Sequence, residues 1–298
     1  MEEVLEKYLR AGRIANNVLT HVSRMVRPGV RVLELCEEAE RKIFELGGRP
    51  AFPVNISINN VAAHYTSPIN DPSTIPENSI VKIDVGVHVD GYIADTALTI
   101  DLSGEREDLV FCVEEALENV IEAIYPGIRV SKIGEIIGKT IRKYGFNPIK
   151  NLSGHSLDRY MLHAGLSIPN FKTLLAIGSL KPWKAYAIEP FATNGIGVVE
   201  ERGEDVFIYS LPKPKKAKGP VERKIITYVK KNFNGLPFSE RWLLKLAAPN
   251  KIREVLRELV SKKVLVGYPV LVEASGGLVS QREHTILVLP KEIVVTTL

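Results

Sequence analysis

The chain repeats part of its own pattern at a spacing of 98 residues, and this repeat constrains the fold more than any other feature. Pro28-Gly29-Val30-Arg31-Val32 aligns with Pro126-Gly127-Ile128-Arg129-Val130, and the same spacing pairs Gly47 with Gly145. Internal repeats of this length indicate a duplicated structural unit. Two helix–helix–strand–hairpin halves predict an α+β fold with pseudo-twofold symmetry, in which the sheets meet and the helices cover the outside.

Four helices follow from the 3.6-residue spacing of apolar side chains. Pro-Gly pairs break the first and third helices, and each second helix of a half ends near a glycine. The predicted helices lie at about 3–25, 31–46, 110–124 and 130–144.

One hairpin between Ser79 and Asp101 carries the first chemical signal. Its strands, Ile80–Val89 and Tyr92–Ile100, are joined by Asp90-Gly91, which suits a two-residue turn with positive φ at both positions.

The hairpin register places two aspartates on one strand face. Asp95 lies opposite Gly86, and Asp84 is two residues along from Gly86, which leaves room between them. The two residues are diagonal neighbours with backbones about 7–8 Å apart, within an apolar sequence that implies burial. Two buried carboxylates cannot both ionise without a compensating cation, so the pair predicts a metal site. The alternative is that both are ordinary strand-end residues on a solvated surface.

The second half supplies matching carboxylates. Glu189 lies in a predicted strand at 185–191 and Glu283 in one at 279–288. The aspartates are 11 residues apart, whereas the glutamates are 94 apart, so a segment is inserted between the second pair of strands.

The inserted segment, residues 212–267, is strongly basic. A Pro- and Lys-rich linker at 211–220 leads into it, and a strand near 263–272 returns to the body. Three helical patterns lie within it, near 221–231, 239–247 and 249–260. It carries 15 Lys and Arg against 4 Asp and Glu, a net charge of +11, which leaves the rest of the chain with a net charge of −7. Such a lobe suits contact with nucleic acid or a ribosome, or it is a solvated lobe whose charges serve solubility.

Histidines complete the candidate site. His155 and His163 lie in the second half, and His64 aligns with His163 at a spacing of 99. His21, His88 and His284 lack this relationship and are interpreted as structural. Four carboxylates and one imidazole suit two divalent ions such as manganese, iron, cobalt or zinc.

Composition bounds the remaining possibilities. The 298 residues are 45% hydrophobic and 25% charged, which predicts a large globular core in one domain, 1–211 with 268–298, interrupted by the insertion at 212–267. No signal peptide or membrane-length apolar run is visible. Two cysteines without C-x-x-C spacing, Cys36 and Cys112, favour a reducing cytoplasm. We expect a monomer.

Taken together, these motifs resemble the type II methionine aminopeptidases of the pita-bread metallopeptidase superfamily. The basic insertion matches their inserted helical, winged-helix-like subdomain, and the absence of an N-terminal polybasic extension resembles the archaeal members. The matching segments span the body of the chain: Phe52-Pro53, Asn59 to Thr66, Asp84 with Asp95, Gly154-His155 with His163, Ala187-Ile188-Glu189 and Gln281 to Leu287.

The resemblance implies a role for each site residue. Two metal ions activate a bridging hydroxide that removes the initiator methionine of nascent chains with a small second residue. Glu189 moves the proton, and His64 with His163 holds the scissile peptide and stabilises the tetrahedral intermediate. The implied metal ligands are Asp84, Asp95, His155, Glu189 and Glu283, with Asp95 and Glu283 bridging. The implied methionine pocket is Phe52, Leu162 and Tyr268; the loop expected at 198–210 departs from the family, and no pocket residue is carried over from it.

Two rival functions remain open from the sequence. Prolidases and Xaa-Pro aminopeptidases use the same five ligands, but they usually carry an extra N-terminal domain, for which this chain leaves no room before its first helix. A non-catalytic relative that binds RNA or ribosomes through the basic insertion is the rival from another class, although all five ligand positions are intact here.

Overall fold

The computed structural model describes residues 2–212 and 219–298, without the side chain of Glu204, as a mixed α/β protein. Its helices are α1 (Glu2–Ser23), α2 (Val32–Glu45), α3 (Glu107–Ala123), α4 (Val130–Lys143), α5 (Pro220–Phe233), a short 3-10 helix (Glu240–Leu243) and α6 (Pro249–Ser261). Its strands are β1 (Arg49–Pro50), β2 (Asn55–Ile58), β3 (Val61–Ala63), β4 (Ile80–Val89), β5 (Tyr92–Asp101), β6 (Asn147–Pro148), β7 (Ser153–Leu157), β8 (Ser167–Pro169), β9 (Lys184–Ile188), β10 (Phe191–Thr193), β11 (Val199–Ser210), β12 (Phe238–Ser239), β13 (Val266–Glu273), β14 (Val279–Gln281), β15 (His284–Val288) and β16 (Ile293–Val295).

The predicted repeat is confirmed in three dimensions. Helices α2 and α4 begin and end at positions 98 residues apart. The residues before them, Arg31 and Arg129, share nearly identical backbone angles, with φ of −73° and −72°. Each of the two also forms an isolated bridge, to Thr74 in the first half and to Ser179 in the second. The two halves are therefore built on the same plan.

The β4–β5 hairpin has the predicted register. Gly86 lies opposite Asp95 and Asp84 opposite Ala97. At the turn, φ is 50° for Asp90 and 89° for Gly91, as a type I′ turn requires. The alternation of side chains then puts Asp84 and Asp95 on the same face.

The second half contains the predicted counterpart, formed by β9 and β15, with Ile188 opposite His284. The prediction that both glutamates lie inside strands is wrong. Glu189 follows the end of β9, where Pro190 has no N–H to continue a ladder. Glu283 lies between β14 and β15 and forms an isolated bridge with Ala97 of the first half instead.

Threonine hydroxyls join the two halves next to these acidic residues. Thr285 Oγ1 accepts from the Asp95 N–H at 2.7 Å and donates to the Asp95 carbonyl at 2.8 Å. Thr96 Oγ1 donates to the Glu283 carbonyl at 2.8 Å. Thr99 Oγ1 accepts from the Gln281 N–H and donates to its carbonyl. These side chains satisfy buried backbone groups where a regular ladder stops, so the backbone of both halves is held at the candidate site.

The helices pack outside the sheets in two apolar clusters, one for each half. Helices α1 and α2 cover β4 in the first cluster, whereas α3 and α4 cover β9 and β15 in the second. None of the helices in the described residues is long and apolar enough to cross a membrane.

The insertion has its own apolar cluster, formed by α5, α6 and the strands beside them. The predicted helix at 239–247 is wrong: Phe238 and Ser239 pair with β11, and only Glu240–Leu243 is helical. Buried polar contacts with the body override the helical pattern here, because Glu240 and Arg241 are bonded to the backbone of Ile69 and Ser67. The linker lysines at 213–218 lie outside the described residues.

Candidate metal centre and active-site cavity

The aspartate pair lies on the inner face of the β4–β5 hairpin. Asp95 is only 3% exposed, and Asp84 is partly buried beside it. The sequence predicts free space over Gly86 between the two aspartates, but Phe52 occupies that space. A Cβ added to Gly86 would lie 2.1 Å from the Phe52 ring. Glycine is required at this position because an aromatic side chain that lines the cavity packs directly on the strand.

Three residues from other elements converge on this pair. His155 on β7 places Nε2 3.6 Å from Glu189 Oε1 and 3.9 Å from Asp95 Oδ2. The potential ligand atoms of Asp95, His155 and Glu283 all lie within 4.8 Å of one another. Asp84 lines the same cavity as Asp95, His155 and Glu189, so the structure brings together all five side chains predicted as metal ligands.

Burial and mutual repulsion oppose ionisation of the four carboxyls. Burial raises the pKa of Asp84 to about 7. Burial, followed by the nearby Asp84 and Glu189, raises the pKa of Asp95 well above its ordinary value. Burial and Asp84 do the same to the pKa of Glu189, and burial with Asp95 does so for the pKa of Glu283. Like charges enclosed in a low dielectric need either protons or a cation.

Unpaired carboxylate oxygen atoms indicate that the site suits a cation rather than protons. Asp84 Oδ1, Asp95 Oδ1 and Glu283 Oε1 are buried and have no hydrogen-bond partner among the described residues. Buried polar atoms without partners are rare in folded proteins. Carboxylate oxygens with one imidazole nitrogen form a donor set for divalent transition metals, so these residues fit a metal centre.

His155 is available as a neutral ligand. Burial, and secondarily the neighbouring His163, lowers the pKa of His155 to about 3. The two imidazole rings are 4.4 Å apart between centroids. An unprotonated ring is the form that binds a metal ion.

His64 and His163, which are related by the repeat, lie at the same cavity in different environments. His64 has a left-handed backbone, with φ of 65°, and its Nδ1 lies 3.1 Å from the Pro269 carbonyl. That contact requires the proton on Nδ1 and leaves Nε2 as an acceptor. Burial lowers the pKa of His64 to about 4, whereas His163 is exposed at the rim.

A cavity of about 430 Å³ opens above the cluster. The three predicted pocket residues, Phe52, Leu162 and Tyr268, all line it. Tyr268 is held by a 3.0 Å hydrogen bond between its hydroxyl and Ser210 Oγ.

Part of the cavity lining differs from the pocket predicted from the sequence. The segment expected as a loop at 198–210 is strand β11, and its Ile208 lines the cavity opposite Tyr268 in the β11–β13 register. The run Val206-Phe207-Ile208-Tyr209, made of β-branched and aromatic residues, is the signal that indicates this strand. Asn55, Pro237 and Leu271 also line the cavity and carried no signal of their own.

The family follows from a comparison with known proteins. The sequence model of metallopeptidase family M24 matches residues 6–219, which contain four of the five converging donors. The chain belongs to metallopeptidase family M24. Membership of this family agrees with the duplicated α+β architecture and confirms the predicted pita-bread fold class.

Two curated relatives within this family match almost end to end. Methionine aminopeptidase of Archaeoglobus fulgidus is 47% identical over 296 residues, 99% of each chain. Methionine aminopeptidase of Thermococcus onnurineus is 45% identical over 293 residues, 98% of this chain and 99% of the relative. Both matches include the insertion as well as the body.

Among solved structures, a thermophilic Arx1 superimposes with a TM-score of 0.88 at 20% identity and covers 99% of this chain and 91% of its own. At that identity, the superposition shows a shared fold and nothing about activity.

Proposed function

We propose that this M24 protein is a methionine aminopeptidase that hydrolyses the N-terminal methionine from nascent proteins and peptides with a small second residue. One observation carries the proposal: five metal-binding side chains meet beneath a cavity with apolar walls. The archaeal relatives that match the whole chain carry the same activity in their names.

Asp84, Asp95, His155, Glu189 and Glu283 would hold two divalent ions of the cobalt, manganese, iron or zinc kind. When bound, such ions polarise the carbonyl of the first residue and lower the pKa of water near it. The three unpaired carboxylate oxygens and the repulsion among the four carboxyls support this assignment.

His64 orients the scissile bond through Nε2. Because Nδ1 donates to the Pro269 carbonyl, Nε2 accepts the N–H of the amide that is to be cleaved. Its low pKa keeps the ring neutral and able to accept at neutral pH. His163, at the rim, contacts the carbonyl side and stabilises the tetrahedral intermediate, and Glu189 carries the proton to the leaving amine.

Phe52, Leu162 and Tyr268 would surround the methionine side chain, and Ile208 joins them. An unbranched thioether fits such an aromatic and aliphatic wall well. We further propose that residues 212–267 form a subdomain inserted into the body, 1–211 with 268–298, because they carry a separate apolar cluster. The two cysteines are free and buried, which supports a cytoplasmic enzyme, and we propose that it acts as a monomer.

The deciding experiment offers Met-Ala-Ser and Xaa-Pro peptides side by side to the metal-free protein reconstituted with each divalent metal. Release of methionine from Met-Ala-Ser alone is the expected result. Cleavage only before proline would replace this function with that of a prolidase. Binding of less than about one ion in excess metal, without cleavage of either peptide, would favour a non-catalytic binding protein.

A further inference from the structure

The loop at 173–178, between β8 and β9, presents an unusual apolar surface. Leu174, Leu175 and Ile177 are 92%, 90% and 85% exposed. Three large aliphatic side chains within four residues at this exposure mark a binding surface more often than a neutral one.

Comparison with the other half of the repeat shows that this surface has no counterpart. In the first half, ten residues lead from His64 to Thr74, whereas sixteen lead from His163 to the equivalent bridge residue Ser179. The first-half segment is covered by the insertion, since Arg241 Nε donates to the Ser67 carbonyl at 2.6 Å. The second-half loop is longer and more apolar, and its three aliphatic side chains are almost wholly exposed.

A groove lies between this loop and the active-site cavity. The groove has a volume of about 480 Å³, and Leu175 and Ile177 form its outer wall. Its inner wall is shared with the cavity, through Asn151, Leu152, Ser153, Gly165, Leu166 and Ser167.

We propose that this groove and the 173–178 loop bind the part of the peptide substrate that lies beyond its second residue, with a preference for apolar side chains. The inference rests on the proposed aminopeptidase function. A peptide whose first residue occupies the cavity must leave it in an extended form, advancing about 3.3–3.6 Å per residue. Because six residues line both spaces, the groove lies next to the cavity that the chain must leave. The exposed leucines and isoleucine supply apolar contact at its outer side.

The test compares three substrates of the metal-loaded protein: Met-Ala-Ser, Met-Ala-Ser-Leu-Leu-Lys and Met-Ala-Ser-Gly-Gly-Lys. The expected kcat/KM is about tenfold higher for the leucine peptide than for the glycine peptide, mainly through KM. A triple variant, Leu174→Ser with Leu175→Ser and Ile177→Ser, loses this preference and cleaves Met-Ala-Ser at the parent rate. The double variant Phe44→Ser with Phe111→Ser, which removes exposed apolar side chains elsewhere, keeps the preference.

Each result separates this inference from the proposed function. Equal kcat/KM for the two hexapeptides, with Met-Ala-Ser cleaved normally, overturns the inference alone. If no peptide is cleaved, the proposed function fails, but binding to the groove can still be measured by fluorescence anisotropy with labelled Ala-Ser-Leu-Leu-Lys and Ala-Ser-Gly-Gly-Lys. Tighter binding of the leucine peptide to the parent, with no such difference in the triple variant, would support the inference. Any other result would overturn it. A dimer in sedimentation that the triple variant dissolves would assign the loop to self-association and overturn the inference.

Discussion

Among single side chains, the hydrogen bond from His64 Nδ1 to the Pro269 carbonyl has the clearest chemical consequence, because it defines which ring nitrogen is free. The left-handed backbone of His64 aims the ring and limits which substitutions are informative. Asparagine adopts this conformation readily, whereas alanine is strained there.

His64→Asn should therefore keep the backbone and the metal but remove the Nε2 acceptor. We expect kcat for Met-Ala-Ser to fall by about 10²–10³-fold. Bound metal should be unchanged, as measured by elemental analysis after dialysis, because His64 is outside the donor set. His64→Ala should lose rate similarly with an added loss of stability. His21→Asn, at a partly exposed position on α1, is the matched control. Full activity in His64→Asn would contradict the assigned role.

Glu283→Gln should abolish turnover through loss of metal, and Asp84→Asn should behave alike. The buried Glu283 carboxyl repels three others, so its replacement by a neutral amide should make the metal-free protein at least as stable as the parent. Calorimetry should show a metal-induced rise in Tm for the parent and little or none for the variant. A variant that keeps the parent's rise in Tm would remove Glu283 from the ligand set.

We expect His88 to make the free energy of unfolding depend on pH, separately from the metal centre. Its buried ring accepts the Gly91 N–H through Nδ1 at the β4–β5 turn. Burial, and then the cross-strand Arg49, lower its pKa to about 4, although Asp90 opposes them. The unfolded state therefore binds the proton first, so this contribution is complete above pH 6.5 and is lost as the pH falls towards 4.

Urea unfolding at pH 7 and pH 4.5 measures this effect. The free energy of unfolding of the parent should fall by about 2–3 kcal/mol more than that of His88→Asn, whose amide oxygen can accept the same N–H without titrating. Equal losses in both proteins would show that His88 does not drive the pH dependence.

At the level of secondary-structure elements, long periodic segments were predictable and interrupted ones were not. Helices α1 to α4 and the β4–β5 hairpin follow from local spacing and turn chemistry. The break at Glu283 and the short 3-10 helix at 240–243 depend on contacts between distant segments. Local patterns carry no information about those partners.

The 3-10 helix of the insertion is attached to the body by a buried ion pair. Arg241 donates to both Glu40 carboxylate oxygens, at 2.9 and 2.8 Å, and Trp242 donates to the same carboxylate. Burial by itself would lower the pKa of Arg241, but Glu40 raises it above its ordinary value. Arg241 therefore stays charged inside the protein.

Arg241→Met should leave Glu40 buried without its partner and destabilise the protein by about 3–5 kcal/mol. The double variant Glu40→Leu with Arg241→Met should recover most of that loss, because no unpaired charge remains. The exposed Arg257→Met is the matched control and should stay within about 0.5 kcal/mol of the parent. Chemical denaturation of all four proteins gives the comparison, and no recovery in the double variant would refute this explanation.

Across the whole molecule, charge is divided between a basic insertion and an acidic body, +11 against −7. We propose that the insertion contacts the ribosome, where nascent N-termini emerge. Electrostatic attraction of this kind depends on the number of phosphate contacts and weakens with salt.

Replacing Lys213, Lys215, Lys216 and Lys218 by glutamine should weaken co-sedimentation with ribosomes and reduce its salt dependence. Cleavage of Met-Ala-Ser should be unaffected. A matched variant with four body lysines replaced, Lys132, Lys139, Lys172 and Lys181, should bind ribosomes like the parent. Unchanged binding by the linker variant would leave its charges as determinants of solubility.

The sequence by itself determined the duplicated plan and singled out the five candidate donors. The repeat, the turn at Asp90-Gly91 and the carboxylates beside apolar runs are local patterns, readable along the chain. Only the tertiary structure decided how the donors meet: Glu283 reaches Asp95 because threonines bind the two halves where their ladders stop. It also decided that Phe52 fills the space over Gly86. Both results depend on packing between segments far apart in the chain, which local spacing does not encode.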